Sequence, residues 1–488
     1  MRSEGRGPLP SVAGVVPAPD NDEKWIRLLK WLQHEHGMDV GPSGLSVERR
    51  KVEGAGYGLF ALEPCSPSST LFTIPSTAMI NSKTLSTIYG LSTTNPPLTA
   101  TQIISLHLLL HRPTEEGTSR DPTFGPYIST MPHEFDTHPV TWAVRNHLHR
   151  ANTAEMTLLS SLPPIVSSAL EKQVRTFKTD WKAVVEYIKS SGHTLTLNDF
   201  RTDHVTLIED FLWAWLIVNT RCIYYQLNPT ASAPENLTLC PVLDFANHVP
   251  DVTHIIPVLP STLFPSAPGS SKRGNNGFAG DYMFIASSAT PVCKDEELYL
   301  RYGGHANRTL FVEYGFVSSW NEGACHEGKS NGEVDVQDIM EDLIASRGVA
   351  GQMLKDVLEE EGYWGDWTMH SRPPPAYPSY RLMSALRLLH AVPGNTGREF
   401  EEACESWRLV LVGQAEIVSA ENEKAWRNGL LQICDKVSTR ATAAIVSCRS
   451  KHPERPSNWV EENVEMLWRE ELEVAEAVAV SVRAGVDF

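Results

Sequence analysis

Leu239-Cys240-Pro241-Val242-Leu243-Asp244-Phe245-Ala246-Asn247-His248 is an apolar run that ends in adjacent amide and imidazole side chains. A second stretch reads the same way: Glu297-Leu298-Tyr299-Leu300-Arg301-Tyr302-Gly303-Gly304-His305-Ala306-Asn307. It continues into Leu310-Phe311-Val312-Glu313-Tyr314-Gly315-Phe316-Val317. Leu239 to Asp244 and Leu298 to Tyr302 are β-type runs, as are Gly58 to Ala61, Thr70 to Ile74 and Tyr282 to Ser287. Pro64, Pro67 and Pro75 punctuate the early ones.

Outward from these runs the pattern changes. Trp25, Leu28, Leu29 and Leu32 recur at spacings of three and four, which predicts an amphipathic helix over Glu23 to His36. From Thr99 to about Tyr225 the apolar positions are again helical, through Ile103 to Leu110 and Val184 to Ile188. About 257–280 is rich in Ser, Pro, Gly and Asn and is expected to be a mobile surface loop. Beyond Val334 no strand-like run stands out, and Ile339, Leu343, Leu382, Leu386, Leu389, Val460, Val464 and Leu467 mark helices. The expected organisation is a leader over 1–22, broken by four prolines, a β-rich unit over 23–325 with a helical insertion at about 99–205, and a helical domain over 334–488. The fold class is α+β with an all-α C-terminal domain.

Glu53-Gly54-Ala55-Gly56-Tyr57-Gly58 looks at first like the phosphate-type loop of a doubly wound nucleotide fold. Such a loop follows a buried parallel strand, opens a helix and has an acidic residue about twenty positions on. Here Ser46-Val47-Glu48-Arg49-Arg50-Lys51 precedes it, Pro64 blocks a following helix, and no acidic residue occurs between Glu63 and Glu115. What remains is a turn whose glycines allow positive φ or a close ligand approach.

The chain has 488 residues, a formal net charge of -17 and 41% hydrophobic residues. That length calls for more than one core, and the acidity argues against a nucleic-acid partner, whose phosphates attract a basic surface. It suits a basic protein partner, although solubility alone accounts for it. The eight cysteines include no close pair, so neither a zinc site nor a disulfide framework is expected from them. The longest apolar run, Phe211 to Val218, falls short of the ~20 residues that cross a bilayer. No membrane association is expected.

Taken in order, Gly56-Tyr57-Gly58-Leu59, the Asn247-His248 run and the Tyr302 run resemble the signature segments of the SET-domain methyltransferases. Glu209 to Arg221 and Gly125-Pro126-Tyr127-Ile128-Ser129-Thr130-Met131-Pro132 are similar to segments of the Rubisco large-subunit methyltransferase branch, with Met131 where that branch has leucine. Tyr380 to Arg387 is similar to its substrate-binding helical domain. The resemblance implies a β-rich fold in which the two signature segments pass through each other. It implies S-adenosylmethionine (SAM) as methyl donor, no metal, a protein substrate such as a ribosomal protein or translation factor, and a monomer in the cytoplasm or nucleus. Ala55, Gly56, Tyr57, Arg221, Asp244, Asn247 and His248 would hold SAM, with Arg221 available for its carboxylate. Tyr302 would be the catalytic phenol. Tyr314 and Phe316, placed with the cofactor residues, would line a channel whose apolar wall favours a neutral lysine. Lysine and histidine both stay open as acceptors, and a catalytically inactive binding module is the competing function.

Overall fold

The computed structural model describes residues 23–52, 56–89, 98–113, 117–190, 204–227, 233–250, 252–258, 280–318, 332–392, 397–450 and 459–488. The expected leader, Ala55 and nearly all of the expected loop at 257–280 lie outside them. The chain packs as two compact units, Met1–Glu134 with Asp180–Arg301, and Phe135–Thr179 with Tyr302–Phe488.

The first unit opens on the helix Glu23–His36, which buries Trp25, Leu28, Trp31 and Leu32 along one face. Strand β1 (Val47–Val52) pairs antiparallel with β2 (Gly56–Ala61), from Val47 opposite Ala61 to Val52 opposite Gly56. Antiparallel pairing of β1 with β2, which Gly56 opens, removes the doubly wound reading, since that fold needs a parallel strand leading into a helix. β1 also buries two arginines, each compensated. Arg49 lies 4.0 Å from the Tyr57 ring centroid, 4.9 Å from Phe245 and 5.6 Å from Trp25. Arg50 pairs with Glu48 and Asp295.

Two small antiparallel sheets complete the β part. β3 (Thr70–Ile74) takes β8 (Tyr282–Ala286) as its neighbour, and β8 in turn pairs with β7 (Ile255–Val258). β6 (Leu237–Leu239) lies between β4 (Ile80–Asn81) and β5 (Ile223–Tyr224). The run expected as strand to Asp244 stops at Leu239: Pro241 has no amide hydrogen and Val242 sits at φ 70°, so the chain turns into a 3-10 turn over Leu243–Phe245. Leu298 to Tyr302, also expected as strand, forms no regular ladder. It is an extended segment bonded on both sides. Ala61 donates to the Glu296 carbonyl and Leu298 to the Leu59 carbonyl, while Leu300 donates to Asn247 and His254 to Tyr299. Glu296 to Leu300 therefore runs between β2 on one side and Asn247 and His254 on the other. Long apolar helices, Ala100–Leu110 and His204–Arg221, pack together behind the sheets. Asp180 ties them by accepting from Gln102 at 2.9 Å and from the Trp215 indole at 2.9 Å.

The second unit is mainly helical. Its core gathers Trp367, Trp407 and Trp426 with Leu382, Leu386, Leu389 and Val478. The helices Gln337–Ala345, Tyr380–Ala391 and Trp459–Arg483 carry the apolar positions that the sequence marked. A three-stranded sheet also occurs here, β9 (Glu333–Asp335), β10 (Thr368–His370) and β11 (Tyr377–Pro378), in the order β11-β10-β9. Strands of two or three residues are too short to show period-two alternation. No helix among the described residues is long and apolar enough to cross a membrane.

Candidate functional site

In the first unit the extended segment Glu296 to Leu300 converges on one amide. The Asn247 side-chain nitrogen donates to the Tyr57 carbonyl at 3.1 Å and to Glu297 Oε1 at 2.7 Å. The other carboxylate oxygen of Glu297 accepts from the Tyr299 hydroxyl at 2.9 Å. Three segments distant in sequence are thereby fastened together: the hairpin, the end of the 240–248 run and the returning 296–300 run. Glu297 and Tyr299 had no role in the sequence reading. Only Glu297's place two residues before Tyr299, on one face of an extended segment, hinted at their pairing.

Gly58 makes room for this carboxylate, because a Cβ there would lie 2.4 Å from Glu297 Oε1 and 3.1 Å from Val52 Cγ2. Gly58→Ala is expected to swing Glu297 off Asn247 and Tyr299, at a cost of about 1–3 kcal/mol. A thermal melt should show a lower Tm, and calorimetry a weakened hold on SAM. An unchanged melt and affinity would mean that the carboxylate has another resting place.

Gly56 is exposed at φ 79°, with open space where a Cβ would stand. Backbone at that point is free to meet a ligand closely. Asn247 and His248 follow the 3-10 turn and are half-buried.

Arg221 ends its helix against Asp244, donating from Nη1 to the Asp244 carbonyl at 2.8 Å and standing 3.6 Å from its carboxylate. The Asp244 side chain is only 1% exposed. Tyr127 lies nearby, yet neither its hydroxyl nor the carboxylate oxygens make a hydrogen bond of ordinary geometry. Burial pushes the Asp244 carboxyl up to about 6, against the pull of Arg221. Arg221 Nε is also buried without a hydrogen-bond partner. The folded carboxyl titrates above its unfolded value, so its contribution to stability is full below about pH 4 and is lost as pH rises through about 6. Two units correspond to roughly 3 kcal/mol. Asp244→Asn is expected to flatten that fall, read as Tm against pH from 4 to 7. Parallel curves for the two proteins would move the titration elsewhere.

The aromatic residues belong to the second unit. The Tyr302 ring lies tilted at 36° to Tyr314 with centroids 5.2 Å apart, Tyr314 is 6.2 Å from Phe316, and the His305 ring is 6.1 Å from Tyr314. Burial raises the Tyr314 phenol above its usual range, with Glu313 adding to the effect. Tyr314 ends a π-helical turn over Leu310–Tyr314, and Gly315 at φ 84° caps it in the left-handed region. Asn307 holds the exit by accepting from the Ser318 amide at 2.8 Å. The chosen residues thus fall into two groups, Tyr57, Asn247, Arg221 and Asp244 in one unit and Tyr302, Tyr314 and Phe316 in the other.

No family model matches the chain. It is 25% identical to human SET domain-containing protein 4 over 94% of this chain and 92% of that protein. It is 24% identical to a ribosomal lysine N-methyltransferase of Schizosaccharomyces pombe, over 75% of this chain and 74% of the relative. In fold it is similar to the SET domain of LSMT solved with lysine and AdoHcy, at a TM-score of 0.56 and 19% identity, covering 96% of this chain and 92% of that one. Along nearly its whole length the chain is thus similar in sequence to SET-domain proteins, and its fold is similar to that of the LSMT SET domain.

Proposed function

We propose that this chain is a SAM-dependent protein-lysine N-methyltransferase whose substrate is a non-histone protein, a ribosomal protein or translation factor. The observation that carries the reading is the Asn247–Tyr57–Glu297 fastening, which makes one site from three remote segments and leads the chain directly to Tyr302. The lysine N-methyltransferase activity for which the fission-yeast relative is named and the ligands of the solved LSMT domain support the same reaction.

The residues present fit the donor. Exposed Gly56 offers open backbone, and the buried, unpartnered Nε of Arg221 suits a carboxylate. Tyr57, Asn247, His248 and Asp244 complete the set that would hold SAM, and Ala55 lies beside them in sequence. When bound, SAM supplies an electrophilic sulfonium methyl. The chain's own work is then positioning and electrostatics. The Tyr302 hydroxyl orients the acceptor nitrogen, and Tyr314 and Phe316 exclude water around it, which keeps the amine neutral and nucleophilic. The helical part over 334–488 holds the protein substrate, and the acidic chain suits a basic one in the cytoplasm or nucleus.

Incubating the full chain with labelled SAM and a lysate, then mapping the labelled residue, tests this. Label on a lysine of a translation protein is the expected result. Label on histidine would change the acceptor, and no transfer would leave the inactive binding module as the function.

A further inference from the structure

Beyond the methyl-transfer site, the helix Ala100–Leu110 and the turn before Gly125 bring together three groups with metal-ligand chemistry. We propose that His107, His111 and Asp121 bind one divalent metal ion, zinc by the chemistry of the set, as a structural site.

His107 and His111 stand four residues apart at the C-terminal end of the helix, so one face carries both rings, with centroids 4.7 Å apart. Asp121 faces them. Its Oδ2 is 2.9 Å from His107 Nε2 and 3.4 Å from His111 Nε2, and one ligand atom from each residue lies within 4.8 Å of the others. Ligands about 2.0–2.1 Å from a tetrahedral zinc stand roughly 3.3 Å from one another. The two measured separations bracket that value.

His107 is fully buried, and its Nε2 lies 2.9 Å from Asp121 Oδ2, the same oxygen that His111 Nε2 approaches at 3.4 Å. One carboxylate oxygen is thus shared by two imidazole nitrogens, and an ion held among the three atoms satisfies all of them at once.

The surroundings fix the ligands from behind. The Tyr89 hydroxyl lies 2.9 Å from His107 Nδ1, which sets that ring's orientation. Asp121 Oδ1 accepts from the amides of Thr123 at 2.6 Å and Phe124 at 2.7 Å, leaving Oδ2 for the ion. Such partners are what ligating imidazoles and carboxylates ordinarily have. Two imidazoles and one carboxylate suit zinc among common divalent ions, with the fourth position taken by water on the His111 side, where the ring is 28% exposed. The ion would pin the end of the helix to the turn that starts Gly125-Pro126-Tyr127, and methyl transfer needs nothing from it. A search for cysteine spacings passes over such a site because no cysteine takes part.

The full chain, stripped with chelator, is titrated with zinc alone against a chromogenic competitor, and cobalt(II) serves as a spectroscopic substitute. One equivalent should bind and raise Tm, and cobalt should give four-coordinate visible absorption. His111→Gln, at the exposed edge, should fold like the parent and weaken zinc binding at least tenfold. Asp121→Asn keeps an oxygen for the two amides and should do the same. No bound equivalent, or binding that His111→Gln leaves unchanged, overturns the proposal, the second outcome assigning the ion to other histidines on the surface.

Discussion

Tyr302→Phe is expected to lower kcat about a hundredfold or more while leaving SAM affinity nearly unchanged. A preorganised hydroxyl that acts only as the methyl transfers contributes to the transition state and little to ground-state binding. The substitution isolates that hydroxyl, because the ring and its tilted contact with Tyr314 at 5.2 Å are kept. Single-turnover rates at saturating SAM give the answer. Near-normal turnover would take the role from Tyr302, and Tyr314, whose phenol burial holds protonated, is the next residue to test. Tyr299→Phe is not the silent control that period-two alternation suggests. The Tyr299 hydroxyl is bonded to Glu297 and so belongs to the fastening around Asn247.

The second large effect concerns Asn247 itself. Asn247→Ala should weaken SAM binding at least a hundredfold with the fold retained. Its amide satisfies both the Tyr57 carbonyl and the Glu297 carboxylate. Removing it leaves two half-buried acceptors short of a donor, at about 1–3 kcal/mol each. The start of β2 at Gly56 and Tyr57 then loses its anchor, and with it the backbone that would meet the donor. Titration calorimetry with SAM measures the affinity, and circular dichroism checks that the protein still melts cooperatively. Unchanged affinity would remove Asn247 from the site.

Local chemistry made part of this legible from the chain alone. The helix Glu23–His36 ends where its apolar spacing ends, and the Thr99–Gln102 capping box starts the helix at Ala100. β3 and β8 follow their β-type runs to within a residue. The order of the glycine turn, the Asn247-His248 pair and the Tyr302 run was enough to point to the fold, because each motif is read within a few neighbouring residues. What the same reading missed depends on distant partners. Arg49 and Arg50 look like solvated charges in β1, but Trp25, Tyr57, Phe245 and Asp295 make them core residues. Arg221 was expected to meet the carboxylate of SAM, and only the packed structure sets it against buried Asp244, whose titration near 6 is a property of burial. Glu297 has no motif at all. Its role arises because the returning segment passes between β2 on one side and Asn247 and His254 on the other, and no local pattern encodes that passage. Local patterns laid out the longer helices, β3, β8 and the residue types available for chemistry. Tertiary structure decided which of those residues meet and which charges lose water, since both depend on contacts between segments far apart in the chain.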